Sequence, residues 1–345
     1  MFLRNAWYVA AWDHEVGRAL FPRTICGQNL VLFRTEDGAV AAFEDRCCHR
    51  NAPLSVGRLI GNEVECGYHG LAFDRTGACV RVPSQSQVPP GARVRCYPVV
   101  ERHRWIWVWT GDAAAADPSL IPDMYWHTDP AWRLAAGGCL HAKCQYQALV
   151  DIQLDQTHSK YVHPTSFANE GAIRAPALAR RDGRRLHGGR VMANSDPQPF
   201  MRRAADYKPA LADVWIKWTY EPPCAVMFDT GIAEPGAGAL QDRTKGNGIT
   251  IFNTHFSTPE TERSTHYFWA SARNYKLDDP ALDALMGKIH DIFSEDVAMV
   301  EAQQRGIEAF PNEPIIDVGS DAPTIQARKL VARLIEEESN ARRVA

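Results

Sequence analysis

The first third of the chain consists of short apolar or alternating runs separated by turn signals. Alternation with a period of two predicts strands, and pairs such as Asp37-Gly38 and Thr76-Gly77 predict tight turns between them. The clearest strand patterns cover residues 30–34, 40–43, 97–100 and 105–109. We therefore expect an N-terminal all-β domain over residues 1–112, with an Ala-, Asp- and Pro-rich linker from Gly111 to Asp123.

The remainder of the chain, residues 113–345, mixes two periodicities. In some stretches apolar residues recur at helical spacing, and in others they alternate as in strands. The helical segments are 149–163, 279–306 and 322–343, and the strands are 214–220, 225–230, 249–257 and 264–272. The Gly- and Ala-rich segment 233–248 is either a mobile lid or a long surface hairpin. The whole pattern predicts an α+β chain in which a mixed domain follows the all-β one.

Composition narrows the classes of function. The 345 residues include 45% hydrophobic and 23% charged side chains with a formal net charge of −3, which suits about two globular domains. The sequence has no basic stripe that would suit nucleic acid, and no apolar run of the ~18 residues that a membrane span needs. The N-terminal segment lacks the pattern of a secretory signal, so we expect a cytoplasmic protein.

Three of the nine cysteines stand beside histidines at the spacing of metal ligands, and the other six are interpreted as small buried hydrophobes. Two mixed pairs occur, Cys47-x-His49 and Cys66-x-x-His69. Thiolates suit iron–sulfur clusters and zinc alike, but zinc fingers usually pair Cys with Cys and His with His. A Rieske [2Fe–2S] cluster needs the mixture, because two histidines replace two cysteines on one iron. The adjacent Cys48 is the alternative ligand, and the Cys-x-His spacing favours Cys47 because neighbouring residues on an extended loop point to opposite sides.

The residues around these pairs resemble a known family. The segments Cys47–Leu54 and Cys66–Phe73 are similar to the N-terminal domain of Rieske non-haem iron oxygenases. The opening Asn5–Ala10 is similar to a smaller group that includes vanillate O-demethylase, dicamba O-demethylase and toluenesulfonate methyl-monooxygenase. The resemblance implies a C-terminal helix-grip domain, in which a curved antiparallel sheet and a long helix enclose the pocket. It also implies a homotrimer supplied with electrons by a separate NAD(P)H reductase or ferredoxin, since this sequence has no dinucleotide-binding motif.

A second group of candidate ligands lies between residues 151 and 164. Two histidines and one carboxylate with open positions form the ligand set of non-haem Fe(II) oxygenases, and His158 and His163 are the two histidines here. Asp155 and His158 would share a helix face, whereas His163 lies roughly 140° further round an ideal helix than His158. Pro164 disfavours the α region at His163, so we expect the helix to end there and the second imidazole to turn back.

The resemblance assigns roles to the carboxylates. The segment Phe293–Gln303 is similar to the family's late helix, whose Asp after Phe-x-Glu is the third iron ligand; Asp296 matches it, and Glu295 is the competitor. Asp155 matches the family's bridging aspartate, which accepts hydrogen bonds from a Rieske histidine of the neighbouring subunit and from an iron-ligating histidine of its own. Many relatives carry Asn three residues before this Asp, where the chain has Ile152, so we expect an amide near the iron to be absent.

The expected activity is that of a terminal oxygenase in aromatic compound catabolism. It would use O2 to monooxygenate a small aromatic substrate, by hydroxylation or by O- or N-demethylation. The alternatives are ring cis-dihydroxylation and, outside enzymes, a Rieske electron carrier. Alternation places Asn253 and His255 on one strand face, and with Trp269 on the next strand they are the candidate substrate contacts. Eight arginines between Arg174 and Arg203 suit either an acidic aromatic substrate or a solvated surface.

Overall fold

The computed structural model describes residues 1–344, which form two compact units. The first unit comprises Met1–Asp123 together with Thr258–Thr261. The second comprises Met124–Ser257 and the described chain from Glu262 onwards. None of the helices in the described residues is long and apolar enough to cross a membrane.

Residues 113–123, which fall within the predicted linker from Gly111 to Asp123, pack onto the first unit. The backbone carbonyl of Asp117 accepts a hydrogen bond of 2.8 Å from the Trp7 indole, and that of Pro118 accepts one from Arg102. Two short 3-10 turns in this segment are each capped by an aspartate side chain. The first unit therefore continues to Asp123, beyond the predicted division after residue 112.

Three antiparallel sheets build the first unit. The strands are β1 (Trp7–Trp12), β2 (Phe21–Ile25), β3 (Gln28–Arg34), β4 (Val40–Glu44), β5 (Arg58–Ile60), β6 (Glu63–Glu65), β7 (Ala72–Phe73), β8 (Cys79–Arg81), β9 (Cys96–Tyr97), β10 (Val99–Arg102) and β11 (Trp105–Trp109). The sheets have the orders β1-β11-β10, β2-β3-β4-β9 and β5-β6-β7-β8. All residues of β11 are buried, because β11 lies between two partner strands and its tryptophans fill the core on both faces.

One seven-stranded antiparallel sheet forms the framework of the second unit. Its strands are β12 (Arg133–Ala142), β13 (Leu178–Asp182), β14 (Arg185–Ser195), β15 (Ala212–Glu221), β16 (Ala225–Ala233), β17 (Ile249–Thr261) and β18 (Ser264–Arg273). The sheet order is β12-β18-β17-β16-β15-β14-β13. The four predicted strands of this unit are confirmed as β15 to β18. The pattern missed β12, β13 and β14, because arginines and glycines interrupt the alternation in these strands.

Among the described residues, seven α-helices accompany this sheet. They are α1 (Tyr146–Leu154), α2 (Ser159–Val162), α3 (Glu170–Arg174), α4 (Pro199–Ala205), α5 (Pro280–Gly287), α6 (Ile289–Ala309) and α7 (Ala322–Val344). The predicted helix 279–306 is divided at Lys288 into α5 and α6. The apolar face of α6, including Phe293 and Val297, packs into one core with the inward side chains Ile216 and Tyr267 of the sheet. The predicted α+β fold, with a long helix packed on an antiparallel sheet, is confirmed.

The segment 233–248 packs on the sheet as a surface hairpin. Ala239 is fully buried in a small cluster with Trp215, and Lys217 Nζ donates to the Leu240 carbonyl at 3.0 Å. Arg243 forms an ion pair of 2.6 Å with Asp229. Among the described residues, none of this segment lines the cavity that adjoins the second group of candidate ligands, so the surface alternative is favoured over a lid.

Candidate metal centres and substrate cavity

Two loops of the first unit present the Cys/His pairs, and their backbones form the same hydrogen bonds. In each loop the Cys amide donates to the carbonyl five residues further on. Each Cys carbonyl also accepts from the amide four residues further on, which is Asn51 after Cys47 and Gly70 after Cys66. Asn51 and Gly70 have φ of 58° and 71°, a region that Asn and Gly adopt more readily than other residues. The two pairs are therefore held by equivalent turns.

These loops bury both thiols and expose both imidazoles. Cys47 and Cys66 are almost inaccessible to solvent and lie within reach of each other, whereas His49 and His69 are exposed, with ring centroids 4.7 Å apart. Burial, reinforced by the neighbouring Cys66, raises the pKa of the Cys47 thiol to about 11, so two thiolates here need a metal centre to stabilise their charge. Inner thiolates and outer imidazoles fit a Rieske cluster.

The surroundings of the exposed imidazoles are aromatic and basic. The ring of Tyr68 lies 3.9 Å from that of His69, and Tyr68 remains exposed. Arg46 and Arg50, on the first loop, are exposed as well. Cys48 is half-buried and packs against the apolar core of this unit, which agrees with its interpretation as a packing residue.

The second candidate site begins where α1 ends. A single helix was predicted through residues 149–163, but α1 stops at Leu154 and Asp155 is extended, with φ −101° and ψ 104°. The Asp155 carboxylate accepts hydrogen bonds from the backbone N–H and the hydroxyl of Thr157, and so caps a 3-10 turn over Gln156–His158. The prediction of one continuous helix is wrong, because a short acidic side chain that bonds nearby amides ends a helix and starts a new turn.

His163 ends α2 as Pro164 predicts. Its φ of −120° and ψ of 54° lie outside the α region, and its ring reaches that of His158 at a centroid distance of 5.3 Å. Asp296, on α6, completes the group. Its Oδ1 is 2.9 Å from Nε2 of His163 and 3.4 Å from Nε2 of His158. One ligand atom from each residue lies within 4.8 Å of the other two, so the three fit a single metal ion of the two-histidine, one-carboxylate type.

The electrostatics of this triad keep the carboxylate ionised. Burial acts to raise the pKa of Asp296, but hydrogen bonds from His158 and His163 outweigh it and lower the pKa to about 2. Burial likewise acts to lower the pKa of His163, and the hydrogen bond to Asp296 raises it. A buried carboxylate that stays deprotonated next to two imidazoles has the chemistry that a metal cation requires.

Each histidine is oriented through the nitrogen that faces away from the triad. Nδ1 of His163 donates to Glu295 Oε2 at 2.6 Å, and Nδ1 of His158 donates to the backbone carbonyl of Asp155. Both Nε2 atoms are thereby available for a metal. Glu295 and Asp296 point about 100° apart on the helix, so Glu295 contacts His163 from behind instead of competing as a ligand. Sequence reasoning missed this supporting role, and its only signal was the position of Glu295 next to Asp296.

Asp155 contacts its own histidine through the backbone and not through the side chain. The expected hydrogen bond between Asp155 and His158 exists, but its acceptor is the main-chain carbonyl. The carboxylate instead bonds Thr157 and lines a surface recess together with Ile152 and Met299. The expectation is corrected on this point, because the break in the helix turns the carboxylate away from His158.

A cavity of about 660 Å³, including its mouth, adjoins the triad. Asn253 and His255, neighbours on one face of β17, line it. Nδ1 of His255 lies 2.7 Å from Tyr267 Oη, and burial lowers the pKa of His255 to about 3, so this imidazole is neutral. Most other walls are apolar, formed by Phe167, Phe200, Met201, Ile216, Phe228, Ile251 and Phe293.

Trp269 is not among the described residues that line this cavity, contrary to the prediction. Its ring packs against those of His290 and Phe293, at centroid distances of 6.0 and 5.3 Å. Tyr267, two residues earlier on β18, lines the cavity instead. Alternation along β18 places Trp269 and Tyr267 on the same face of the sheet. The position of α6 then determines which part of that face remains open to the cavity.

Two further expectations about the cavity need correction. None of the eight arginines between Arg174 and Arg203 is among its described lining residues. Six of them are exposed on the surface, and the buried Arg190 donates to a backbone carbonyl. Ile152 does lack an amide, but the next residue on α1, Gln153, brings one into the cavity. An amide near the triad is therefore present, but it comes from Gln153 and not from position 152.

Comparisons with known proteins agree with this arrangement. The Rieske [2Fe-2S] domain family matches residues 6–98, and the vanillate O-demethylase oxygenase C-terminal domain family matches residues 142–337. The fold and the two sites define a Rieske-type oxygenase, an oxidoreductase with a [2Fe–2S] cluster and a mononuclear non-haem iron. The chain belongs to the vanillate O-demethylase family of these oxygenases.

Relatives along the whole length support this assignment. The chain is 40% identical to the iron-sulfur subunit of the toluene-4-sulfonate monooxygenase system of Comamonas testosteroni, covering 98% of this chain and 99% of that one. It is 38% identical to a vanillate O-demethylase oxygenase subunit of a Pseudomonas species, covering 92% and 97%. The solved structure of dicamba monooxygenase bound to dicamba superimposes with a TM-score of 0.89 at 34% identity, covering 98% and 99%. These relatives are components of multicomponent oxygenase systems.

Proposed function

We propose that this chain is the terminal oxygenase of a multicomponent system, and that it monooxygenates a methyl, methoxy or N-alkyl carbon of a small aromatic substrate. The observation that carries this proposal is the His158, His163 and Asp296 triad at the wall of a largely apolar cavity. A triad of this kind leaves coordination positions open, and a substrate in the cavity would lie beside them.

Each metal group has a proposed set of ligands. Cys47, Cys66, His49 and His69 would hold the [2Fe–2S] cluster, on the strength of their paired turns and the contact between the two thiols. His158, His163 and Asp296 would hold a mononuclear Fe(II). When bound, the iron supplies O2 activation, and the cluster supplies electrons one at a time.

The protein's own residues organise the reaction around these groups. Glu295 and the Asp155 carbonyl fix the two imidazole rings with Nε2 towards the triad. Phenylalanine rings on the cavity wall exclude water and contact an aromatic ring. Asn253 and the neutral imidazole of His255 provide polar contacts that orient the substrate.

The stoichiometry of the proposed reaction follows from demethylation of a methoxy group. One oxygen atom of O2 enters a methyl C–H bond, and the other leaves as water after two electrons and two protons are added. The resulting hydroxymethyl ether breaks its C–O bond to give a phenol and formaldehyde. The two electrons must come from a separate reductase or ferredoxin, since the chain carries no dinucleotide-binding motif.

We further propose a cytoplasmic homotrimer in which the cluster of one subunit serves the iron of the next. Asp155 lies in a recess that also contains Asp317, Asp321 and Asp151, the last paired with Arg328, so its net charge is negative. The exposed Arg46 and Arg50 flank His49. Opposite charges on these two surfaces favour docking between copies of the chain. Asp155 would then accept a hydrogen bond from a cluster histidine of the neighbouring subunit and join the two redox centres.

Ring cis-dihydroxylation is the alternative reaction at the same triad, and product analysis distinguishes it. A dihydroxylase releases a cis-diol and no formaldehyde, whereas a demethylase releases formaldehyde in proportion to O2 consumed. An electron carrier would leave the triad and the cavity of the second unit without a role.

Iron quantitation and O2 uptake together test the proposal. We expect three irons per chain, with formaldehyde formed from methoxyaromatic substrates when NADH and a reductase are supplied. His158→Ala should lower the content to about two irons, keep the cluster's reduced-state EPR signal, and abolish product. Gln241→Ala, at an exposed position of the 233–248 hairpin, is the matched control. Two irons per wild-type chain, with O2 uptake unaffected by His158→Ala, would falsify the oxygenase proposal.

A further inference from the structure

Three polar side chains form a connected row on the wall of the cavity beside the triad. Gln153 of α1, Tyr267 of β18 and His255 of β17 all line this cavity, and all three are buried. The Gln153 amide hydrogen-bonds to the Tyr267 hydroxyl, and that hydroxyl lies 2.7 Å from Nδ1 of His255. The row therefore starts on the helix, crosses two neighbouring strands and ends in an imidazole.

Aromatic neighbours fix the position of the His255 ring. The rings of Phe228 and Phe293 meet it edge to face, at centroid distances of 5.3 and 4.8 Å. The Tyr267 ring lies nearly parallel to it, at an interplanar angle of 13° and a centroid distance of 5.8 Å. These contacts hold the plane of the imidazole, but aromatic packing does not determine which of the two ring nitrogens carries the proton.

The hydrogen bonds of Tyr267 decide the tautomer of His255. Burial and the nearby charge of Asp296 raise the pKa of the Tyr267 hydroxyl, while the Gln153 amide acts in the opposite direction, as an N–H that donates to the phenol oxygen does. The single O–H of Tyr267 then donates to Nδ1 of His255, and the distance of 2.7 Å is typical of an O–H donor. A neutral imidazole whose Nδ1 accepts a hydrogen bond carries its proton on Nε2.

Nε2 of His255 is the free end of this row. Among the described residues, no group of the protein forms a hydrogen bond with it. Burial keeps the imidazole neutral, with a pKa of about 3, so Nε2 is an N–H donor without charge. A buried N–H is costly unless an acceptor meets it. Because His255 lines the cavity, an acceptor atom of a bound substrate is suited to this role.

We propose, on the basis of the oxygenase function proposed above, that Gln153 and Tyr267 are positioning residues that act through His255. They hold its imidazole as an Nε2–H donor, and this donor binds an oxygen acceptor of the aromatic substrate. A carboxylate, a sulfonate or a phenolic oxygen all accept such a hydrogen bond, and the charge of an anionic group would be offset by iron at the triad. The row thus selects aromatics that carry an oxygen acceptor over those that carry only carbon at the same place.

A double-mutant cycle tests whether Tyr267 acts through His255. Binding of 4-methoxybenzoate and of 4-methylanisole, which has a methyl group in place of the carboxylate, is measured by anaerobic calorimetric titration of the holoenzyme. We expect Tyr267→Phe to lower the affinity for 4-methoxybenzoate at least about tenfold and to leave that for 4-methylanisole unchanged. In a His255→Leu background, Tyr267→Phe should cause no further loss. Gln153→Leu should act in the same direction as Tyr267→Phe but only about two- to threefold, because it removes one bond behind the donor.

The matched control is Tyr275→Phe. It removes a buried hydroxyl that has no hydrogen-bond partner and lies outside the cavity lining, and it should change neither affinity. Equal losses for the two ligands in Tyr267→Phe would indicate a purely structural role and overturn the proposal. A further loss in the double variant would overturn it as well, as would equal binding of the two ligands to the wild type.

Neutron diffraction from deuterated crystals of the wild-type holoenzyme observes the tautomer directly. We expect deuterium on Nε2 of His255 and on the Tyr267 hydroxyl, whereas deuterium on Nδ1 of His255 would refute the proposed row. This measurement decides the matter even if a variant does not fold. Formaldehyde release and iron content are recorded separately, so failure of the oxygenase function is distinguished from failure of the positioning role.

Discussion

At the scale of single residues, the orientation of two imidazole rings determines whether the triad can hold a metal. Nδ1 of His163 contacts the carboxylate of Glu295, and Nε2 contacts that of Asp296. The His163 side chain is only 1% exposed. Because a carboxylate behind a histidine fixes its tautomer and raises its basicity, the contact from Glu295 should strengthen metal binding at the opposite nitrogen.

Replacing Glu295 tests this role. In Glu295→Ala we expect the affinity for the mononuclear iron to fall about 10- to 100-fold, since His163 would lose its orienting acceptor. The measurement is the iron retained during titration with a chelator, with the EPR signal of the cluster as an internal reference. Asp291→Ala, an exposed acidic residue on the same helix, is the control. Unchanged iron retention in Glu295→Ala would show that Glu295 has no part in the site.

At the scale of secondary-structure elements, the sheet of the second unit depends on a close approach between two central strands. Trp215 of β15 is paired with Gly231 of β16, and its indole donates to Asp229 at 2.8 Å. A Cβ at Gly231 would lie 2.0 Å from the Trp215 ring and 2.5 Å from the backbone carbonyl of Ile249. The glycine is therefore required by the packing of the tryptophan across it.

Gly231→Ala should consequently destabilise the second unit by about 3 kcal/mol, because neither the indole nor the backbone can move aside freely. The free energy of unfolding, followed by tryptophan fluorescence in urea, measures the effect. Gly287→Ala is a matched control at the end of α5, where a Cβ would meet nothing within 4 Å. We expect that variant to be as stable as the wild type or slightly more stable. Equal stabilities for the two variants would contradict the packing argument.

At the scale of the whole molecule, the second unit carries an apolar surface next to Asp155. Ile316 is 82% exposed, and Met299, Ile315 and Val318 are exposed as well. Met299 and Ile315 line the same recess as Asp155. A cluster of exposed apolar side chains is typical of a protein interface, which supports the proposed contact between subunits at this point.

Ile316→Lys should weaken that contact, because it places a charge in an apolar interface. We expect a shift from trimer towards monomer in light scattering, and loss of coupled turnover with the metal content unchanged. Glu313→Lys changes a nearby exposed residue that is already polar and should leave the assembly intact. A fully active monomer would contradict the proposal that the electron path crosses between subunits.

Asp155→Asn tests the electron path itself. Asparagine can still accept the Thr157 hydrogen bond that caps the turn, so the fold and both metal sites should be retained. Loss of the charge should lower coupled turnover at least about tenfold. Rapid-mixing spectroscopy would show a cluster that is reduced normally and reoxidised slowly, whereas normal reoxidation would rule out the bridging role.

Local sequence determined much of this protein. The Cys-x-His and Cys-x-x-His pairs, the two histidines before Pro164 and the strands β15 to β18 follow from spacing and alternation, because ligand geometry and strand period act over a few residues. The change of direction at His163 was also predictable, since proline restricts the residue before it. Asp296 was identified only through its similarity to the late helix of the family.

Tertiary structure decided the rest. Asp296 lies more than 130 residues from His163 in the chain, and only the packing of α6 on the sheet brings the two together. The same packing covers Trp269, directs Glu295 to His163, and leaves Gln153 in the cavity where Ile152 suggested that no amide would be found. Periodicity along a chain specifies which face a side chain occupies, but what lies opposite that face depends on contacts between distant segments.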